Sequence, residues 1–142
     1  MNYDLSRFLK AQGRDYETAL AEIRSGRKRS HWIWYIFPQL KGLGFSTLSY
    51  HYGIDDIGEA KAYMEDAVLR ERLLEISGAL LTLSSSDATA VMGFPDDLKL
   101  RSCMTLFREA APEETVFQHV LDKFFGGRGD EITLRLLRTG VR

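Results

Sequence analysis

Two short strings carry most of the side chains in this sequence that are equipped for chemistry. The first, Gly26 to Gly44, reads GRKRSHWIWYIFPQLKGLG. Arg27, Lys28 and Arg29 lead into His31, Trp32, Trp34, Tyr35 and Phe37, and Gln39 follows Pro38. Arginine grips a carboxylate or phosphate through two parallel hydrogen bonds, and lysine acts as a point charge. Three consecutive cations cannot all face one way, so at most two of them serve one site. Trp32 and Trp34 offer faces on which a flat ring can stack. His31 titrates near neutrality in an unperturbed setting, which suits proton transfer. Gln39 places an amide in an apolar run, where it must find backbone or a ligand to bond to.

The second string is PDDLKLRSCMTLF, from Pro95 to Phe107. Asp96 and Asp97 stand where a helix begins, a position the helix dipole favours for carboxylates. Asp97 is the second candidate for moving a proton. Lys99 and Ser102 are three apart and share a helix face. A serine–lysine nucleophile would need a desolvated lysine, which spacing alone does not establish. Cys103 sits among apolar neighbours and reads as an inert buried thiol.

The resulting candidates are His31 and Asp97 for catalysis. For ligand binding they are Arg27, Lys28, His31, Trp32, Trp34, Gln39, Lys99 and Ser102. The two strings are expected to share a cleft that brings His31 and Gln39 within reach of Asp97 or Lys99. Every one of these residues also has an ordinary role as helix-end charge, cap or core. Trp34 in particular is expected in the core. His31, His51 and His119 lack metal-ligand spacing and there is one cysteine, so no metal or other cofactor is expected. The GGRG turn at Gly126–Gly129 precedes the last helix but lacks the lysine of a phosphate-binding loop. It reads as an interhelical turn, with an anion cradle as the rarer role.

The elements that must position these residues are helical by period. Leu5, Phe8 and Leu9 predict a first helix ended by Gly13. Asp15 then caps a second, with Tyr16, Ala19, Leu20 and Ile23 on one face. Ser30 caps a short helix from His31 to Phe37, and Ser46 another through Tyr50. Asp56, Asp66, Asp87 and Asp130 are further caps, Pro95 opens a helix, and Pro112 sits in the first turn of one that runs to Phe125. The fold class is all-α, with about seven or eight mostly short, orthogonally packed helices in a single domain, 1–142.

The net charge of −1 disfavours general nucleic-acid binding. No apolar stretch approaches the roughly 20 residues of a membrane span, and MNYDLSRFLKAQ has no apolar signal region. A cytoplasmic protein is expected, with no membrane partner and no disulfide.

The strings GRKRSHWIWYIFPQLKGLG, EAKAYM with the later RERL, and DDLKLRSCMTLF closely resemble the bacterial family catalogued as domain of unknown function 1810. Its members are sometimes labelled "calpastatin". The resemblance runs from about Phe8 to the last helix and implies a compact all-α domain. It implies no activity. The calpastatin label does not fit, because those inhibitors are disordered and proline-rich, whereas this chain has three prolines and is 44% hydrophobic. The functional expectation is a small-ligand-binding domain, with catalysis left open. Its ligand would be an anionic, partly aromatic metabolite such as a nucleotide or ADP-ribose derivative. The alternative is a non-enzymatic protein-interaction or structural module.

Overall fold

Helix α1 runs unbroken from Ser6 to Arg24, through Gly13. The two predicted helices are one because their apolar faces line up. Phe8, Ala11, Gln12, Tyr16, Ala19, Leu20 and Ile23 are all buried along a single stripe. Gly13 lies on the outer side with open space around it. It costs about 1 kcal/mol against alanine there, less than the packing of that stripe returns. Asp15 is therefore an interior residue and caps nothing; it pairs with Arg14 at 3.2 Å and accepts from the Tyr35 hydroxyl. Gly26, at φ 89°, stops the helix. The turn is closed by Arg27 N–H donating to Glu22 O at 3.1 Å.

The computed structural model describes residues 3–44 and 46–139. Among them there are nine helices, slightly more than the count the periodicity suggests, and no β-strand. After α1 come α2 (Ile33–Ile36), α3 (Thr47–His51), α4 (Ile57–Glu65) and α5 (Ala67–Leu81). Then follow α6 (Ala88–Met92), α7 (Asp96–Ala110), α8 (Val116–Phe125) and α9 (Glu131–Thr139). An isolated parallel bridge joins Leu40 and Ile54 and closes the loop that carries α3. The fold is all-α.

Capping chemistry sets most of the boundaries. Ser46, Asp56, Asp66 and Asp87 each accept a backbone N–H from the first turn of the helix they precede. Asp130 does the same for Thr133 at 2.9 Å. Ser30 does not cap α2, because Glu22 takes its hydroxyl proton. Pro112 lies in the turn before α8, which starts at Val116 rather than around the proline.

Helix α7 is the central element. It packs against α2, α4, α6, α8 and α9, while α5 lies between α1 and α8. Leu100, Cys103, Met104, Leu106 and Phe107 are sealed from solvent, as are Tyr63, Leu73 and Phe117 around them. Ser102 and Thr105 sit on the same helix and give their hydroxyl protons to the carbonyls of Leu98 and Arg101. The Cys103 thiol is fully buried, and desolvation pushes its pKa well above the usual value. It is inert, as its surroundings in the sequence suggested.

Candidate functional site

The first string is held from α1 by one carboxylate. Glu22 Oε1 accepts from the backbone of Arg29 at 2.8 Å, the backbone of Ser30 at 3.0 Å and Trp32 Nε1 at 2.9 Å. Its Oε2 accepts from Ser30 Oγ at 2.5 Å. Burial alone would raise this carboxyl's pKa. The four donors outweigh it and hold the value down at about 2. Glu22 thus folds the basic loop back on its own helix and seats the Trp32 indole, which is 1% exposed.

Lys28 turns inward. Its N–H donates to Val91 O at 2.7 Å, and its Nζ lies 2.7 Å from Asp96 Oδ2 and 4.9 Å from the Trp32 ring centre. Asp96 takes a second cation, since Lys99 Nζ is 3.2 Å from Oδ1. Lys99 in turn lies 4.9 Å over the ring of Trp34. So the two strings do meet, through Lys28–Asp96–Lys99, with each lysine covering one tryptophan. Trp34 is only half-buried, unlike Trp32. The expectation that Trp34 is a core residue is corrected: residues two apart on a helical turn point to different sides, and Trp32 takes the sealed one.

Beyond this network the chain leaves a cleft of about 250 Å³. Gln39 and Leu43–Gly44 form one wall, Pro95, Leu98, Lys99 and Ser102 another, and Asp130 and Ile132 at the start of α9 the third. The wall is tight at Gly44, where an added Cβ would sit 2.9 Å from Ser49 Cβ and Oγ. Gln39 is 7% exposed, and its side-chain amide has no hydrogen-bond partner among the described residues. Its carbonyl is occupied by Ile54 N–H at 2.9 Å, so the side chain is the part left over. Leu98 and Ile132 are about half exposed at the rim.

Of the sequence candidates, Gln39, Lys99 and Ser102 share this cleft. Trp32 and Lys28 do not line it; they support it from behind. Asp97 opens on a different, shallower depression of about 630 Å³ beside Thr89, Phe124 and Phe125. There its Oδ2 accepts from Thr89 Oγ1 at 2.6 Å. His31 is exposed, lines neither hollow, and is not brought to Asp97 or Lys99 in a shared cleft. Arg27 is exposed and its side chain has no polar partner among the described residues. No cluster of metal-ligating side chains occurs among the described residues. No helix of them is long and apolar enough to cross a membrane.

Asp130 and Ile132 were not singled out for the cleft by the sequence. Their only signal was position, directly after the GGRG turn and at the start of an amphipathic helix. The glycines of that turn do not line the cleft. Thr105 Oγ1 accepts from Asp130 N–H at 2.8 Å, and this tie brings α9 to α7.

The chain is similar to a conserved hypothetical protein of Mycobacterium tuberculosis known from a crystal structure. The two are 43% identical, the match covers 96% of this chain and 97% of that one, and the TM-score is 0.94. No curated protein matches. Residues 2–137 fit the model of a family described as protein of unknown function, and on that match the chain belongs to the DUF1810 family.

Proposed function

We propose that this protein binds a small acidic metabolite in the cleft between the Gln39 loop, α7 and the start of α9, without acting on it. The observation that carries this reading is the Gln39 amide. The residue is 7% exposed, and its amide atoms are open to the cleft with no protein hydrogen bond among the described residues. A ligand that replaces water in the cleft can bond to it, and the amide offers a donor and an acceptor side by side.

The acidic group follows from charge. Lys28 and Lys99 share one carboxylate, so the trio with Asp96 keeps one positive charge, and Lys99 is the member that faces the cleft. The size follows from volume. A cleft of about 250 Å³ is below the roughly 300–1,000 Å³ of sites for drug-sized ligands, which favours a compact metabolite over a dinucleotide. The body of the ligand would rest on Leu43, Leu98 and Ile132 rather than stack on tryptophan, because Lys99 already covers Trp34. Binding is favoured over catalysis because the two proton-transfer candidates, His31 and Asp97, lie outside this cleft.

The test is a thermal-shift screen of small carboxylates and phosphates on the wild type and on Gln39→Leu. A ligand at a hundredfold excess over Kd should stabilise by about 2.7 kcal/mol. The shift is expected to vanish in Gln39→Leu. A best ligand that stabilises both proteins equally overturns the reading and leaves the exposed Leu98–Ile132 rim as a protein-contact surface.

A further inference from the structure

The cleft holds two opposite charges that do not meet. Lys99 is engaged by Asp96 from behind, at 3.2 Å. Asp130 makes no ion pair among the described residues. Its Oδ2 is used by its own helix, accepting from Thr133 N–H at 2.9 Å and Thr133 Oγ1 at 2.6 Å. Its Oδ1 has no hydrogen-bond partner among the described residues, and the residue lines the cleft. The Ser102 hydroxyl gives its proton to Leu98 O at 3.2 Å, so it presents only lone pairs to a ligand. Gln39, more than nine-tenths buried and with no side-chain hydrogen bond among the described residues, adds one donor group and one acceptor.

A purely anionic ligand would satisfy Lys99 and be repelled by Asp130. A purely cationic one would meet the reverse. A ligand with both charges satisfies both, and being neutral overall it enters with less electrostatic conflict. We propose that the ligand is a small zwitterion with an aliphatic body, the chemistry of a free α-amino acid. Its carboxylate lies at Lys99 with the Gln39 Nε2 group. Its ammonium lies at Asp130, where Ser102 Oγ and Gln39 Oε1 accept its remaining protons. Its side chain covers Leu43, Leu98 and Ile132, two of which stand about half exposed at the rim. This rests on the reading that the Gln39 cleft takes an acidic ligand, and adds the second charge.

The experiment is isothermal titration of the full chain with three probes of one shape: L-leucine, 4-methylpentanoate and 3-methylbutylamine. Leucine is expected to bind about tenfold or more tighter than either, the equivalent of one charge-assisted hydrogen bond. Asp130→Asn keeps a capping oxygen for α9. It should lower leucine affinity by about tenfold and leave 4-methylpentanoate no weaker. Asp130→Ser, also a capping residue, is the second variant should the first lose its fold. Lys99→Gln should weaken leucine and 4-methylpentanoate alike. If 4-methylpentanoate matches leucine and Asp130→Asn changes neither, the zwitterion is refuted while the acidic-ligand reading stands. If leucine binds and Gln39→Leu leaves its affinity unchanged, both fall. If none of the three probes binds, the amino-acid chemistry is refuted, and the acidic-ligand reading is judged by its own screen.

Discussion

Gln12 and Gln39 are both buried glutamines packed against the aromatic segment, one on each side of it. On the α1 side, Gln12 Nε2 donates at 2.8 Å to both Tyr35 O and the Tyr63 hydroxyl. A few turns along the same helix, Glu22 collects four donors from the basic loop and Trp32. On the side of α7 and α9, and among the described residues, the Gln39 side chain has no hydrogen-bond partner, Lys99 shares its anion with Lys28, and Asp130 keeps one oxygen free. The polar groups of the first region are spent on holding the chain together. Those of the second are left over once the chain is folded. Burial does not separate the two groups here, but hydrogen-bond accounting does. Ser77 Oγ in α5 is the one sealed side-chain polar atom without a hydrogen-bond partner among the described residues; it lines neither hollow, so the accounting needs an adjacent cleft to point to a site.

The largest effect that would break this contrast is a tryptophan swap. Trp32→Ala should cost about 3–5 kcal/mol, since it empties a sealed position and strips a donor from Glu22. Trp34→Ala should cost only about 1–2 kcal/mol, in line with its half burial. Urea denaturation midpoints that rank the two the other way would put Trp34 on the closed side.

Next is Glu22→Gln, expected to cost about 3 kcal/mol at neutral pH. The folded pKa of Glu22 is depressed to about 2 from an ordinary 4.5, so its stabilisation is fully present above 4.5 and is lost as pH falls towards 2. The wild type's advantage over the variant should shrink across that window and stay flat above it. An advantage that grows on acidification would mean that the carboxylate is not what the donors hold.

The matched pair sharpens the comparison further. Gln12→Leu should cost about 2 kcal/mol, because Tyr35 O and the Tyr63 hydroxyl lose their donor. Gln39→Leu should leave stability within about 0.5 kcal/mol of wild type or raise it, because no bond is broken. Equal losses in the two variants, read from thermal midpoints, would make Gln39 structural. Smallest of all, Arg27→Ala should change neither stability beyond about 0.5 kcal/mol nor ligand affinity; a lost ligand response would bring the exposed loop into the site.

What the sequence made legible was local. Ser46, Asp56, Asp66 and Asp87 mark helix starts because a cap and its partner lie three or fewer residues apart. Gln39 stood out for the same kind of reason, an amide in an apolar neighbourhood. The failures are tertiary. Gly13 looked like a stop until the shared stripe from Phe8 to Ile23 carried the helix past it. Ser30 looked like a cap because its competitor, Glu22, sits on the helix before the turn, with nothing nearby to mark it as an acceptor. Asp130 and Ile132 reach the cleft only because α9 folds back on α7. His31 and Asp97 were drawn together as polar residues inside the two distinctive strings, and among the described residues no hydrogen bond or ion pair joins them.

The backbone bond from Lys28 N–H to Val91 O, 2.7 Å long, has a consequence for dynamics. It ties the basic loop to the end of α6, and behind it stand the Asp96 pairing and the wall that carries Lys99. An amide held this way trades its hydrogen for deuterium only when the loop swings off that layer. Its exchange rate is therefore a clock for separation of the loop from α6 and α7, readable at one residue while the rest of the molecule stays folded. A ligand that grips Lys99 slows that clock, and one that binds elsewhere leaves it running at its own pace.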